Sequence, residues 1–340
     1  EAIKQYAAWY WQEHLAVLDP ETVPAAEKRE LGQRVYKMLT DDNIILDWTL
    51  MYEKNDEGLD VLTDSNMKGL KKWMSDPEVL NSLTAENREW TKKALDENPG
   101  IFKPIGDLYA RAWLSEDFKK YIPTLFCFKI VQSIAFMQEG YSWTDCNRHW
   151  TEIPVDKRIT KAAEWAQIPE SAHWHRRYGS TYLTNDMNSK ALFHYDKALA
   201  LDNNSVETRG RIAYCLSRDG RFKEALEQAL KCEAIEEESI AGGKLDEEAL
   251  KASKWRLYKD HILIATCYEE LGNAEDALVY YLKAMKSAKV VGLNSKACKE
   301  YFESELGYLE LLAAESRHDE IVKFLHELDE EITDAEHHRT

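Results

Sequence analysis

Glycine and proline are scarce, at 14 and 8 residues in a chain of 340. That leaves too little turn chemistry for a many-stranded sheet and favours long helices, so an all-α fold with no strands is expected. A basic face is also missing. The formal charge is -17, and the lysines and arginines are interleaved with acidic residues through both halves, so no cluster of phosphate-neutralising cations is available and nucleic acid is not an expected partner. No hydrophobic run reaches the roughly 20 residues that span a bilayer. The longest, Ile122 to Met137, is broken by Pro123, Lys129 and Gln132 and reads as a buried helix, so no membrane partner is expected. The six cysteines, Cys127, Cys146, Cys215, Cys232, Cys267 and Cys298, form no CxxC pair. Reduced thiols of this kind behave as small hydrophobes, and a cytoplasmic location is expected. No signal or transit sequence is expected. The chain opens at Glu1 in mid-helical pattern without an initiator Met, and the expectation is a piece of a longer polypeptide.

Catalytic signatures are missing as well. No GxSxG elbow, cysteine-protease signature or HExxH helix occurs, and no catalytic residue, cofactor or metal is expected. His173 and His175 stand two apart, which on a helix points them away from one another. His337 and His338 read as a frayed tail, and the many helical carboxylates as solvated faces.

What is present is a repeat. Gly179, Tyr182, Ala191, Tyr195 and Ala198 follow the small, large, small spacing of a tetratricopeptide unit. Thirty-four residues on, the same offsets hold Ala213, Leu216, Ala225, Ala229 and Cys232. A third copy holds Ala265, Tyr268, Ala277, Tyr281 and Ala284, displaced by one period plus an insertion, and a degenerate fourth places Leu309, Leu312, Ile321, Leu325 and Leu328. The spacing has a cause: antiparallel helices approach closely only where small residues sit at the crossing. Gly179, Tyr182, Ala191, Tyr195, Ala198, Ala213, Ala225, Ala265, Ala277 and Ala284 are therefore the expected packing residues. The units are expected at 172–205, 206–239, 258–291 and 302–335, with the insertion at 240–257. Asn185-Asp186, Asp219-Gly220 and Gly272-Asn273 supply the breaks between paired helices. Stacked units bury a shared core and present the first helix of each pair to a ligand groove. The expected groove residues are His173, Arg176 and Ser180, then Glu207, Gly210, Arg211 and Tyr214, then Lys259, Ile262 and Thr266.

Residues 1–170 lack the period but carry amphipathic patterns, and are expected to form a separate helical domain. Helices are predicted around Tyr6 to Leu15 and Leu31 to Leu39, and over Asp64–Met74, Thr84–Asp96, Ile105–Leu114, Ser115–Gln138 and Asp156–Ala166. Asp76-Pro77, Thr84 and Ser115 read as helix starts. Trp9, Trp11, Trp48, Trp73, Trp90, Trp113, Trp143 and Trp150 read as packing residues, not as a ligand cage.

The string Tyr6-Ala7-Ala8-Trp9-Tyr10-Trp11-Gln12-Glu13-His14-Leu15 resembles the helix that follows the ATPase and winged-helix portion of fungal NACHT proteins, members of the STAND signalling class related to NOD-like receptors. The run from Trp90 through Pro104 to Tyr109-Ala110-Arg111-Ala112-Trp113-Leu114, and Ala172 to Leu183 at the start of the array, are similar to the same C-terminal region. The resemblance implies a ligand-sensing portion whose nucleotide module lies upstream in the same polypeptide, with the start of this chain at the end of a winged-helix region. The chain itself departs from the family in having no phosphate loop: Gly243-Lys244 is followed by Leu245, with Glu238 where the first glycine would be.

Function is expected to be binding of a protein or peptide ligand, as the sensor of a NACHT-type receptor. The alternative is a stand-alone adaptor of the co-chaperone kind that grips an acidic tail. Arg176, Arg211 and Lys259 are suitably cationic for it, but Ser180 and Arg211 stand where asparagines are expected, and Leu263 replaces a base. An enzyme with an unrecognised all-helical site is a third class.

Overall fold

The computed structural model describes residues 2–53, 63–97, 100–142, 152–291 and 299–337. Among these residues there are α-helices, short 3-10 turns and no strand, an all-α, solenoid-like architecture. The chain divides into two compact units, 1–186 and 187–340. By this division helix 172–184 falls in the first unit, where the repeat spacing places the start of the array. Trp143, Trp150, Cys146, Cys298 and His338 lie outside the described residues.

The first unit contains α1 (Ala2–Val17), α2 (Ala25–Thr40), α3 (Asp42–Glu53), α4 (Asp64–Met74), α5 (Pro77–Ser82), α6 (Ala85–Asp96), α7 (Lys103–Leu114), α8 (Thr124–Gln138), α9 (Val155–Ala166) and α10 (Ala172–Thr184). Helix α8 is buried nearly all round from Cys127 to Met137, as its apolar sequence requires, and α7, α9 and α10 pack on it. The helix expected over Ser115–Gln138 begins only at Thr124. Pro123 lacks a backbone N–H and pushes the preceding residue out of helical conformation. Ser115, expected as a helix start, instead ends α7 as its C-cap, and its Oγ accepts from the Asp117 N–H at 3.3 Å in a turn. Asp76 and Thr84 do cap α5 and α6 through their side-chain oxygens.

Several tryptophans of this unit fill space and satisfy their indole N–H groups. Trp73 donates to Leu15 O at 2.9 Å, Trp48 to Met38 O at 3.0 Å, and Trp113 to Thr181 Oγ1 at 2.9 Å. The last of these, with the buried Arg177 described below, fastens α10 to α7 and explains why the division falls after α10. Gly100 marks the tightest turn: its φ is +29°, and a Cβ there would lie 1.8 Å from Ala94 O. Gly100→Ala is expected to cost about 3 kcal/mol or more. Gly220→Ala, at φ +72° in open space, should cost only about 1 to 2 kcal/mol. Paired urea titrations of the two variants check this.

The second unit contains α11 (Asn188–Leu201), α12 (Val206–Arg218), α13 (Phe222–Ala241), α14 (Glu247–Glu270), α15 (Ala274–Val291), α16 (Lys299–Ala314) and α17 (His318–His337). Successive helices pack in chain order, and α12 also packs on α14. Ala191, Tyr195, Ala198, Ala213, Ala225, Ala229, Cys232, Ala265, Ala277 and Ala284 are all fully buried, with Tyr281 5% exposed. The breaks fall at 219–220 and 272–273, where Gly220 and Gly272 adopt positive φ. The insertion is not a loop: it adds turns to the end of α13 and to the start of α14 around a short connection at 242–246.

The fourth helix pair departs from the assigned offsets. Leu325, which stands where Tyr195, Ala229 and Tyr281 are buried, is 48% exposed. Of the other assigned positions Leu312 is fully buried and Ile321 packs against the same cluster, which Tyr308, Leu311 and Phe324 complete. The close approach falls at Gly307, where a Cβ would meet the Tyr281 ring at 2.7 Å. No helix among the described residues is long and apolar enough to cross a membrane.

Candidate functional site

The expected groove residues fall in both units. On α10, in the first, His173 donates its backbone N–H to Glu116 Oε1 at 3.2 Å, and Arg176 meets His173 Nδ1 at 3.1 Å. Ser180 Oγ donates to Arg176 O at 3.0 Å. Glu116, brought in by the turn after α7, is held below the usual carboxylate range by the His173 N–H and the Ser171 hydroxyl. The packing residues Gly179 and Tyr182 are buried.

On α12, in the second unit, Glu207, Arg211 and Tyr214 are exposed, Tyr214 at 44%. Their spacing puts them in one stripe, opposite the buried Ile212, Ala213 and Leu216. Helix α14 lies beside α12. Lys259 is exposed and its ammonium stacks over Trp255 at 4.9 Å. Ile262 is half-buried against Tyr258, Ala284 and Ala288, and Thr266 turns its hydroxyl to Ile262 O at 3.0 Å. The structure thus brings Glu207, Arg211 and Tyr214 onto the helix next to Lys259, Ile262 and Thr266. Gly210 lies between, with Asp260 Oδ1 3.6 Å from where its Cβ would stand.

The sequence reading missed a buried polar cluster behind this surface. Glu233, Glu236, Ser253, Asp260 and His261 are each less than 9% exposed. Glu233 accepts from Tyr280 Oη and Lys283 Nζ, both at 2.9 Å. Burial alone would raise its pKa, but His261, Lys283 and Tyr280 hold it down to about 2. Glu236 pairs with Arg256, which also donates to Ser253 Oγ at 3.0 Å. One signal was legible: Glu233 stands at the offset that Leu199 and Met285 occupy in the neighbouring copies.

Asp260 makes no hydrogen bond or ion pair among the described residues. Burial and the nearby Glu236, only partly offset by Arg256, push its carboxyl up to about 7. A folded-state value above the ordinary 3.8 means that the fold favours the protonated form. Stability should therefore decline as pH rises from about 4 through about 7, with the full penalty present above that. Asp260→Asn is expected to stabilise the protein by on the order of 1 to 3 kcal/mol at pH 8, the gain shrinking toward zero near pH 4. Melting curves of both proteins across that range check it.

Two cavities lie in the second unit. One, of about 370 Å³, opens where the lengthened ends of α13 and α14 meet the start of α12, between Ser205, Glu207, Ile235, Glu236, Ser253 and Arg256. The other, of about 420 Å³, lies between α15, α16 and α17 and is floored by Leu282, Met285, Tyr308, Phe324 and Leu328. Burial pushes the thiols of Cys215 and Cys232 up to about 12 and that of Cys267 to about 11, which keeps these three protonated and unreactive.

The fold class this defines is an all-α assembly of packed helix pairs with a solenoid-like second unit. No known protein family and no curated protein matches the chain.

Proposed function

We propose that the second unit is a tetratricopeptide-type module that binds an extended polypeptide segment along α12 and α14, and that it serves as the ligand-sensing region of a NACHT-type STAND receptor. The observation that carries the binding reading is the pairing of an exposed stripe, Glu207, Arg211 and Tyr214, with a neighbouring helix that offers Lys259 and the half-buried Ile262. A large exposed tyrosine flanked by charges of both signs suits a peptide: the ring supplies contact area at low entropic cost and the charges fix register. The buried alanines behind the stripe keep it rigid, so little ordering energy is lost on binding. In a receptor, such a ligand acts by binding one arrangement of the whole protein better than another.

Selection of peptides from a random display library on the purified chain tests the binding reading. Enriched peptides should lose at least about tenfold in affinity, or about 1.4 kcal/mol, against Tyr214→Ala. Failure to enrich any peptide, or affinity indifferent to Tyr214 and Arg211, would count against it. The receptor reading is tested separately by the upstream coding sequence, where a phosphate loop is expected.

A further inference from the structure

The buried polar cluster contains one ring nitrogen with incomplete hydrogen bonding. His261, on α14, is 4% exposed. Its Nδ1 meets Ser287 Oγ of α15 at 3.2 Å, which fixes the ring. Its Nε2 is buried and lies 3.2 Å from Glu233 Oε1, yet makes no hydrogen bond, because the N–H direction does not reach that oxygen. Nε2 thus points into the space beside Glu233 with its bonding capacity unfilled.

Glu237 lies one turn beyond Glu233 on α13, on the same face, and is exposed. One donor atom from each of Glu233, Glu237 and His261 falls within 4.8 Å of the other two. Tetrahedral zinc with bonds of about 2.0 to 2.2 Å needs its donors roughly 3.3 to 3.6 Å apart, so the exposed Glu237 side chain has to swing inward for all three to hold one ion. We propose that Glu233, Glu237 and His261 form a binding site for a divalent transition-metal ion of the zinc type, clamping α13 to α14 and leaving a coordination position open on the Glu237 side.

The donor set selects the class of ion. An imidazole with two carboxylates suits Zn²⁺ and its neighbours better than the all-oxygen shells of Ca²⁺ and Mg²⁺. Ser287 plays the part of the outer partner that orients a ligating histidine. Lys283 opposes the ion, since its ammonium already sits on Glu233 Oε1 at 2.9 Å. This gives the site an unusual signature: removing Lys283 should tighten metal binding even though it removes an ion pair.

Calorimetric titration of the chelator-treated full chain with Zn²⁺, alongside its thermal melting, tests the proposal. The wild type should bind one Zn²⁺ tightly enough to raise its Tm. Glu237→Gln, at an exposed position, should leave the metal-free Tm unchanged and weaken Zn²⁺ by at least about tenfold. Lys283→Met should lower the metal-free Tm and tighten Zn²⁺ several-fold. The proposal is overturned if the wild type shows no saturable Zn²⁺ binding, if Glu237→Gln binds it as the wild type does, or if Lys283→Met weakens it.

Discussion

Arg177→Met is expected to destabilise the first unit by about 3 to 5 kcal/mol, a fall in Tm on the order of 10 °C. Arg177 is buried, and its guanidinium donates to Trp113 O at 3.0 Å, Ala112 O at 3.3 Å and Ile122 O at 2.7 Å. Two of these carbonyls belong to the last turn of α7, where no intrahelical donor is available. The third belongs to the residue before Pro123. A single cation therefore completes the end of one helix and the entry to the next, and its charge lies at the favourable end of the α7 dipole. Methionine fills much the same volume but leaves three buried acceptors without a donor. Lysine should recover only part of the loss, because an ammonium cannot reproduce the planar fork. Thermal and urea unfolding of the three proteins measures this.

Ala225→Trp should cost the second unit about 3 kcal/mol or more by overpacking. Ala225 is fully buried on α13, which packs against α12, and an indole there forces its neighbours apart. Tyr214→Trp, eleven positions earlier but on the exposed stripe, should stay within about 0.5 kcal/mol of the wild type. The pair separates residues that hold the array together from residues that face a ligand. Equal destabilisation by both would place Tyr214 in the core and remove it from the groove.

The alanine spacing made the second unit legible. Small residues at fixed offsets report where helices cross, and that constraint is local enough to read along one chain. Helix starts at Ala172 and Val206 follow from it. The third unit was less legible, because added helical turns lengthen α13 and α14 without a break that sequence pattern could mark. In the fourth, Leu312 is buried where its offset placed it but Leu325 is not: a leucine fits the core or a partly exposed helix face equally well, and the close approach lies at Gly307 against Tyr281. In the first unit, Pro123 carried more weight than the apolar periodicity on either side of it, and α3 (Asp42–Glu53) had no expectation attached to it.

The candidate site was legible only on its surface. Spacing alone identifies Glu207, Arg211 and Tyr214 as a stripe, but the partners of a buried charge come from other helices. Glu233 meets Tyr280 and Lys283, nearly fifty residues away, and no local pattern encodes that meeting. The adjacent Arg176 and Arg177 show the same limit. One bonds to His173 at the helix surface and the other is buried against α7, and helical phase relative to Trp174, Tyr178 and Thr181 is the only clue to which turns inward.

Amide hydrogen exchange of the chain, with and without a peptide selected on it, addresses the binding surface directly. Slowed exchange confined to 206–214 and 259–266 is the predicted result. Protection located instead in the cleft between α15 and α17, or in residues 1–170 alone, would contradict the assignment of α12 and α14 as the seat for a polypeptide.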